Sequence, residues 1–85
     1  PGGTRDSGIE DATIVATHMM LAAKNAGADS CWVNLFNPEE VAEKMELPEN
    51  EEVLVMLDLG YAAEDGKPLP NHASRKPLSG TVTYL

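Results

Sequence analysis

Eighty-five residues limit the chain to one domain with a marginal core, since chains of this size bury only about 60% of the surface their unfolded form exposes. A net charge of −8, from 14 Asp and Glu against 6 Lys and Arg, argues against nucleic acid and anionic membrane surfaces as partners, because both select for clustered cations. A single cysteine leaves no intrachain disulfide and no zinc cluster. With no apolar run long enough to span a bilayer and no signal-peptide pattern at the start, the expected compartment is the cytoplasm.

Residues 1–6, opening Pro1-Gly2-Gly3, read as the tail of a loop, so the beginning of the chain looks truncated. Residues 7–27 then predict one long helix. Ser7 with Glu10 has the spacing of a capping box. Glu10 and Asp11 in the first turn and Lys24 in the last suit the helix dipole, and Gly27 supplies a left-handed stop. Ile9, Ala12, Ala16, Met19, Met20, Ala23 and Ala26 follow helical spacing, and Ile14, Val15, Leu21 and Ala22 carry the apolar character round most of the circumference. Such a helix is expected to be buried. A chain this short has little with which to bury it, so part of the cover should come from a second chain or a further segment.

Residues 28–60 read as strand, helix and strand. Ala28 to Ser30 is a turn and Cys31-Trp32-Val33 a short β-type run. Asn37-Pro38-Glu39-Glu40 has an Asn cap, a first-turn proline and acidic residues at the positive end of a second helix. Val41, Ala42, Met45 and Leu47 give that helix an apolar side, and Pro48 ends it. After the acidic connector 49–52, the run 53–59, Val-Leu-Val-Met-Leu-Asp-Leu, predicts a strand covered on both faces. Residues 61–85 form an extended tail rich in turns, with Thr81-Val82-Thr83-Tyr84-Leu85 a candidate short terminal strand or arm. The order of elements is that of part of an α+β domain.

Few residues stand out for chemistry, and no side chain is assigned a catalytic or metal-binding role. His18 lies among apolar neighbours with no carboxylate or cysteine at ligand spacing, and reads as a core or interface histidine. Cys31 reads as a buried packing residue, and Met19 and Met20 as core. Asp58, inside a strand, faces either a polar cavity or an edge. In the tail, Ser74-Arg75-Lys76 puts a hydroxyl and two cations into a proline-flanked loop of an otherwise acidic chain. The arginine fork suits phosphate, although a solvated pair of charges explains the same pattern.

The run from Asp11 through Glu64, followed by His72-Ala73-Ser74-Arg75-Lys76-Pro77-Leu78, resembles the C-terminal half of the nitroreductase family of flavoproteins. The resemblance rests on the Ala-rich helix, Ser30-Cys31-Trp32-Val33, Phe36, Pro38-Glu39-Glu40-Val41, Leu47-Pro48-Glu49, Leu57-Asp58-Leu59-Gly60-Tyr61 and Arg75-Lys76-Pro77-Leu78. No single piece is specific, but their order and spacing extend across nearly the whole chain. It implies an α+β nitroreductase-like fold, an intertwined homodimer with the long helix as its spine, and FMN bound non-covalently at the interface. The implied activity is ping-pong transfer of hydride from NAD(P)H through the flavin to a nitroaromatic, quinone or similar small-molecule acceptor.

On that resemblance, Trp32, Val33, Asn34 and Leu35 line the flavin ring, with a backbone N–H of Asn34 or Leu35 aimed at N5. Arg75 holds the FMN phosphate with Ser74 or Lys76. Two residues depart from the family pattern: Asn34 and Leu35 stand where glycine is frequent, and Ala62 replaces the proline common after Gly-Tyr. The family's N-terminal half has no counterpart here. The chain is therefore expected to be a fragment, one part of a split protein completed by an N-terminal segment, or a remnant. The alternative function is a non-catalytic dimerisation or flavin-binding module without turnover.

Overall fold

The computed structural model describes residues 5–85, so the first four residues of the expected loop at 1–6 lie outside it. Its elements are helix α1 (Gly8–Asn25), strand β1 (Asp29–Val33), helix α2 (Pro38–Lys44), strand β2 (Met56–Gly60) and a 3-10 turn (Leu78–Gly80). The mixed helix and strand content agrees with the α+β reading.

Helix α1 starts as expected but is not capped as expected. Ser7 takes a backbone conformation of φ −97° and ψ 7°, outside the extended region from which a cap hydroxyl reaches an N3 amide. Its Oγ donates instead to the Asp11 carboxylate at 3.1 Å, and Glu10 pairs with Arg5 at 2.7 Å. The carboxylate of Asp6 takes over part of the capping, accepting from the Gly8 N–H at 2.9 Å.

The other end of α1 matches its sequence signal. Gly27 sits at φ 90°. The N–H of Ala28 donates to the Ala23 carbonyl at 2.9 Å and that of Gly27 to Lys24 at 3.0 Å, the paired bonds of a Schellman closure. Helix α2 closes identically, Leu47 donating to Ala42 and Glu46 to Glu43, but its left-handed residue is Glu46 at φ 56°. At its start, the Asn37 side chain accepts from the Glu39 and Glu40 amides.

The strands pair antiparallel from Asp29 opposite Gly60 to Val33 opposite Met56. β1 therefore begins two residues before the expected Cys31, within the predicted turn. β2 is shorter than the predicted strand at 53–59, because β1 ends at Val33 and the chain then turns towards α2, leaving Val53, Leu54 and Val55 no partner. Residues 81–85 form no strand, as no strand edge lies beside them to supply ladder hydrogen bonds.

Helix α1 packs on both strands, whereas α2 and the 3-10 turn make no close backbone approach to the other elements. The contact face of α1 is built mostly from small residues: Ala16 is buried, and Gly8, Ala12 and Ala23 are half-buried along the same stripe, with Met20 the one large side chain on it. The larger apolar residues point away, with Ile14, Val15, Met19 and Leu21 each more than half exposed. The expectation of a buried central helix is thus corrected for the chain taken by itself. Ala16 is the one buried hydrophobic residue among the described residues.

Whole-chain dimensions agree. The exposed surface is 8096 Å², about 3,200 Å² more than scaling assigns to a folded monomer of 9.1 kDa. The radius of gyration is 17.2 Å, against about 12 Å for a compact domain of this length. No helix among the described residues is long and apolar enough to cross a membrane.

Candidate functional site

The residues assigned to the flavin ring follow one another from β1 into the loop before α2. Trp32 and Val33 are held by the ladder, opposite Leu57 and Met56, and both are half-buried. Asn34 and Leu35 lie beyond the last paired residue, where the backbone is free of the sheet. Leu35 is 98% exposed, which leaves its main chain approachable from solvent.

A cavity of about 560 Å³ opens beside this segment, between the start of α1, the end of β1, α2 and residues 51–54. Ile9, Pro38, Ala42, Val53 and Leu54 form its apolar part, and Asn34, Glu39, Glu51 and Glu52 its polar part. Its size suits a small-molecule site. Of the seven predicted site residues, Asn34 alone lines it. Ile9 and the acidic connector are lining residues that the sequence reading missed. A connector of four polar residues looks like a solvated loop, and only the placement of α2 turns it into a wall.

The second group of predicted residues lies in the exposed tail. Arg75 is folded back on its own loop, its Nη1 donating to the carbonyls of His72 at 2.9 Å and Ser74 at 2.7 Å. These bonds fix the guanidinium in the turn without neutralising it. Among the described residues the ion pairs are Arg5 with Glu10 and Lys24 with Asp29, so Arg75 and Lys76 keep their charge uncompensated. A hydroxyl and two cations directly after the turn at residues 70–73 are a donor set that fits a phosphate group. The structure brings Ser74, Arg75 and Lys76 together by sequence adjacency, and does not bring them onto the cavity beside Asn34.

Several single-residue expectations are corrected. Cys31 is exposed rather than buried, because its face of the two-stranded sheet has no cover within the chain. Asp58 is its partner across the ladder and is exposed too, both lining a shallow groove with Leu59 and Tyr61. Met19 is 51% exposed, not core. His18 is likewise exposed within the chain, which removes the core half of its reading; its Nδ1 lies 2.8 Å from the Ile14 carbonyl, which can only accept, so Nδ1 carries the proton. His18 borders an apolar groove with Ile14, Val15, Met19 and Ala22.

Asp29 has the one perturbed acidity among the described groups. Hydrogen bonding from Lys24, then from the Ala62 N–H, and the Lys24 charge hold its carboxyl below the ordinary value of 3.8. Among the described residues, no three His, Cys, Asp or Glu side chains gather as a metal site requires.

Comparison with known proteins assigns the class. The sequence profile of the nitroreductase family matches residues 2–61. The chain is 33% identical over 82 residues to a Bacillus subtilis protein named "Putative NAD(P)H nitroreductase YodC", covering 95% of this chain and 38% of that one. It is 36% identical over 76 residues to Protein DrgA of Synechocystis, covering 87% of this chain and 36% of that one. Its fold superposes on the crystal structure of a nitroreductase family protein from Clostridium difficile 630 with a TM-score of 0.80 and 36% identity, over 99% of this chain and 49% of that one.

The chain therefore belongs to the nitroreductase family, and its α+β fold is that of the family over the segment it spans. That segment is somewhat over a third of the length of the curated relatives it matches.

Proposed function

We propose that this chain is the C-terminal portion of an FMN-dependent oxidoreductase that passes hydride from NAD(P)H to a nitroaromatic, quinone or similar small acceptor. Family membership across residues 2–61 is the observation that carries this reading. FMN, when bound, supplies the redox chemistry, accepting and releasing hydride while the protein holds and orients it. The loop after β1 offers main-chain N–H groups at Asn34 and Leu35, beyond the last rung of the ladder, to orient the ring. The turn at Ser74, Arg75 and Lys76 offers charge-assisted donors to the phosphate.

The same reading includes a partner. The outward face of α1 and the excess of exposed surface are suited to an obligate interface, which commonly buries 2,000 Å² or more. A second copy, with the segments that complete the flavin site, would cover both. The cytoplasm is the compartment in which reduced nicotinamide is available to such an enzyme.

The test is a visible absorption spectrum of the intact protein, followed by addition of NADPH or NADH. Flavin bands that bleach with reduced nicotinamide and return with a quinone support the oxidoreductase. Flavin bands that do not bleach favour a binding module without turnover, and a colourless protein that takes up no added FMN overturns the reading. Arg75→Ala is expected to weaken FMN binding about 30-fold or more, the loss of a charge-assisted pair, measured by quenching of FMN fluorescence. An unchanged affinity removes Arg75 from the site.

A further inference from the structure

Beyond Gly60 the chain leaves the sheet and enters the tail that carries Ser74, Arg75 and Lys76. The tail's 3-10 turn packs on none of the other elements, and Tyr61, at its start, is 84% exposed. Something must nevertheless decide in which direction it leaves. One contact does: the Asp29 Oδ2 accepts from the Ala62 N–H at 3.0 Å. Among the described residues this is the only side-chain hydrogen bond that joins positions more than five apart.

Asp29 is well placed for this. It is the first residue of β1, directly opposite Gly60, the last of β2, so its carboxylate meets the backbone where the ladder stops. Its other oxygen is braced by the Lys24 Nζ at 2.9 Å, from the last turn of α1. The arrangement ties the end of α1, the start of β1 and the root of the tail to one side chain. It depends on an N–H at position 62, which Ala62 supplies and a proline there would not offer.

We propose that Asp29 is a positioning residue for the cofactor. It fixes the departure of the tail from β2 and thereby the presentation of the Ser74-Arg75-Lys76 turn to the FMN phosphate. This rests on the flavin reading above. Without the bond to Ala62 the tail pivots at its root, and the cations reach the phosphate only after paying the entropy of ordering it.

The experiment compares the intact wild-type protein with Asp29→Ala and with Asp29→Asn combined with Lys24→Gln. The double variant exchanges a charge pair for an amide pair and keeps an oxygen for the Ala62 N–H. Two quantities are read: the Kd for FMN by fluorescence titration, and hydrogen exchange of the Ala62 amide in the flavin-free protein. In the wild type the Ala62 amide should exchange about tenfold more slowly than that of Ala63, as for a hydrogen bond to a charged acceptor.

Asp29→Ala should abolish that protection and raise the Kd about tenfold, and the double variant should restore both to within about threefold. Absence of Ala62 protection in the wild type overturns the proposal without need of any variant. So does an Asp29→Ala protein that binds FMN as the wild type does, or a double variant as weak as Asp29→Ala. A wild-type protein that binds no FMN overturns instead the flavin reading, and with it the cofactor role; Ala62 protection would then stand as the anchor of the tail alone.

Discussion

At the scale of single residues, two helix ends built to one plan use different left-handed residues. Gly27 is the expected choice. Glu46 is not, since a side chain at φ 56° meets the steric penalty that L-residues incur in the left-handed region. Glu46→Gly is expected to stabilise the fold by about 0.5–1 kcal/mol, read as a higher midpoint in urea. Gly27→Ala should cost about 1 kcal/mol or more, through backbone strain alone, as an added Cβ there meets no atom within 4 Å.

Asp29 gives a dependence on pH whose sign follows from its lowered pKa. The folded carboxyl gives up its proton more readily than the unfolded one. The stability that its charge adds is therefore present above 3.8 and is lost as pH falls through the lower, folded value. The Ala62 amide should keep its protection across the neutral and mildly acidic range and lose it only below the ordinary carboxylate range, which hydrogen exchange in a pH series checks. Gly27 was legible in the sequence because glycine at a helix end has one conformational use. Glu46 was not, because no residue type announces a strained position. Ser7 with Glu10 was misread because spacing cannot tell that Arg5 and Asp11 compete for the same groups.

At the scale of elements, α2 depends on its cap. Seven residues are too few to hold a helix by propensity, and close backbone packing on the rest of the chain is lacking. The Asn37 side chain, accepting from two amides, carries much of its definition. Asn37→Ala should lower stability by about 1 kcal/mol, seen in urea unfolding, and should open the wall of the cavity beside Asn34. This helix was legible from Asn37-Pro38-Glu39-Glu40, a start signal made of local chemistry. The strands were less so. An apolar run such as residues 53–59 declares β character but not its limits, which the partner strand sets. The same gap explains residues 81–85, a candidate strand that pairs with no other.

At the scale of the whole molecule, the exposure of one face of α1 within the chain was foreseeable from the girth of the helix and the length of the chain. Which face would be covered from within was not. Alanines and Met20 lie against the sheet and Ile14, Val15, Met19 and Leu21 are left outside, an assignment that helical spacing alone leaves open because both faces are apolar. Fully burying an exposed side chain of this size is worth about 1.5–3 kcal/mol, and Ile14, Val15, Met19 and Leu21, each more than half exposed, leave roughly half of that still to be gained by covering. If the second copy and the flavin proposed above are present, Ile14→Asp with Leu21→Asp is expected to convert the dimer to monomer at micromolar concentration, with loss of FMN. Sedimentation velocity provides the check, and a dimer that survives both charges would place the interface elsewhere. The candidate site was the least legible part, as the loop after β1 and the residues at Arg75 are far apart in sequence and no local pattern tells whether the fold brings them onto one cavity.

The outward face of α1 also sets a rate law. A helix that meets its sheet mostly through alanines gains little by folding first, so on the proposed reading folding and covering become one event. If the cover is another polypeptide, that event is second order: its half-time doubles when the protein is diluted by half. A newly made chain then waits with Ile14, Val15, Met19 and Leu21 in water, open to aggregation, for a time fixed by the abundance of what covers it.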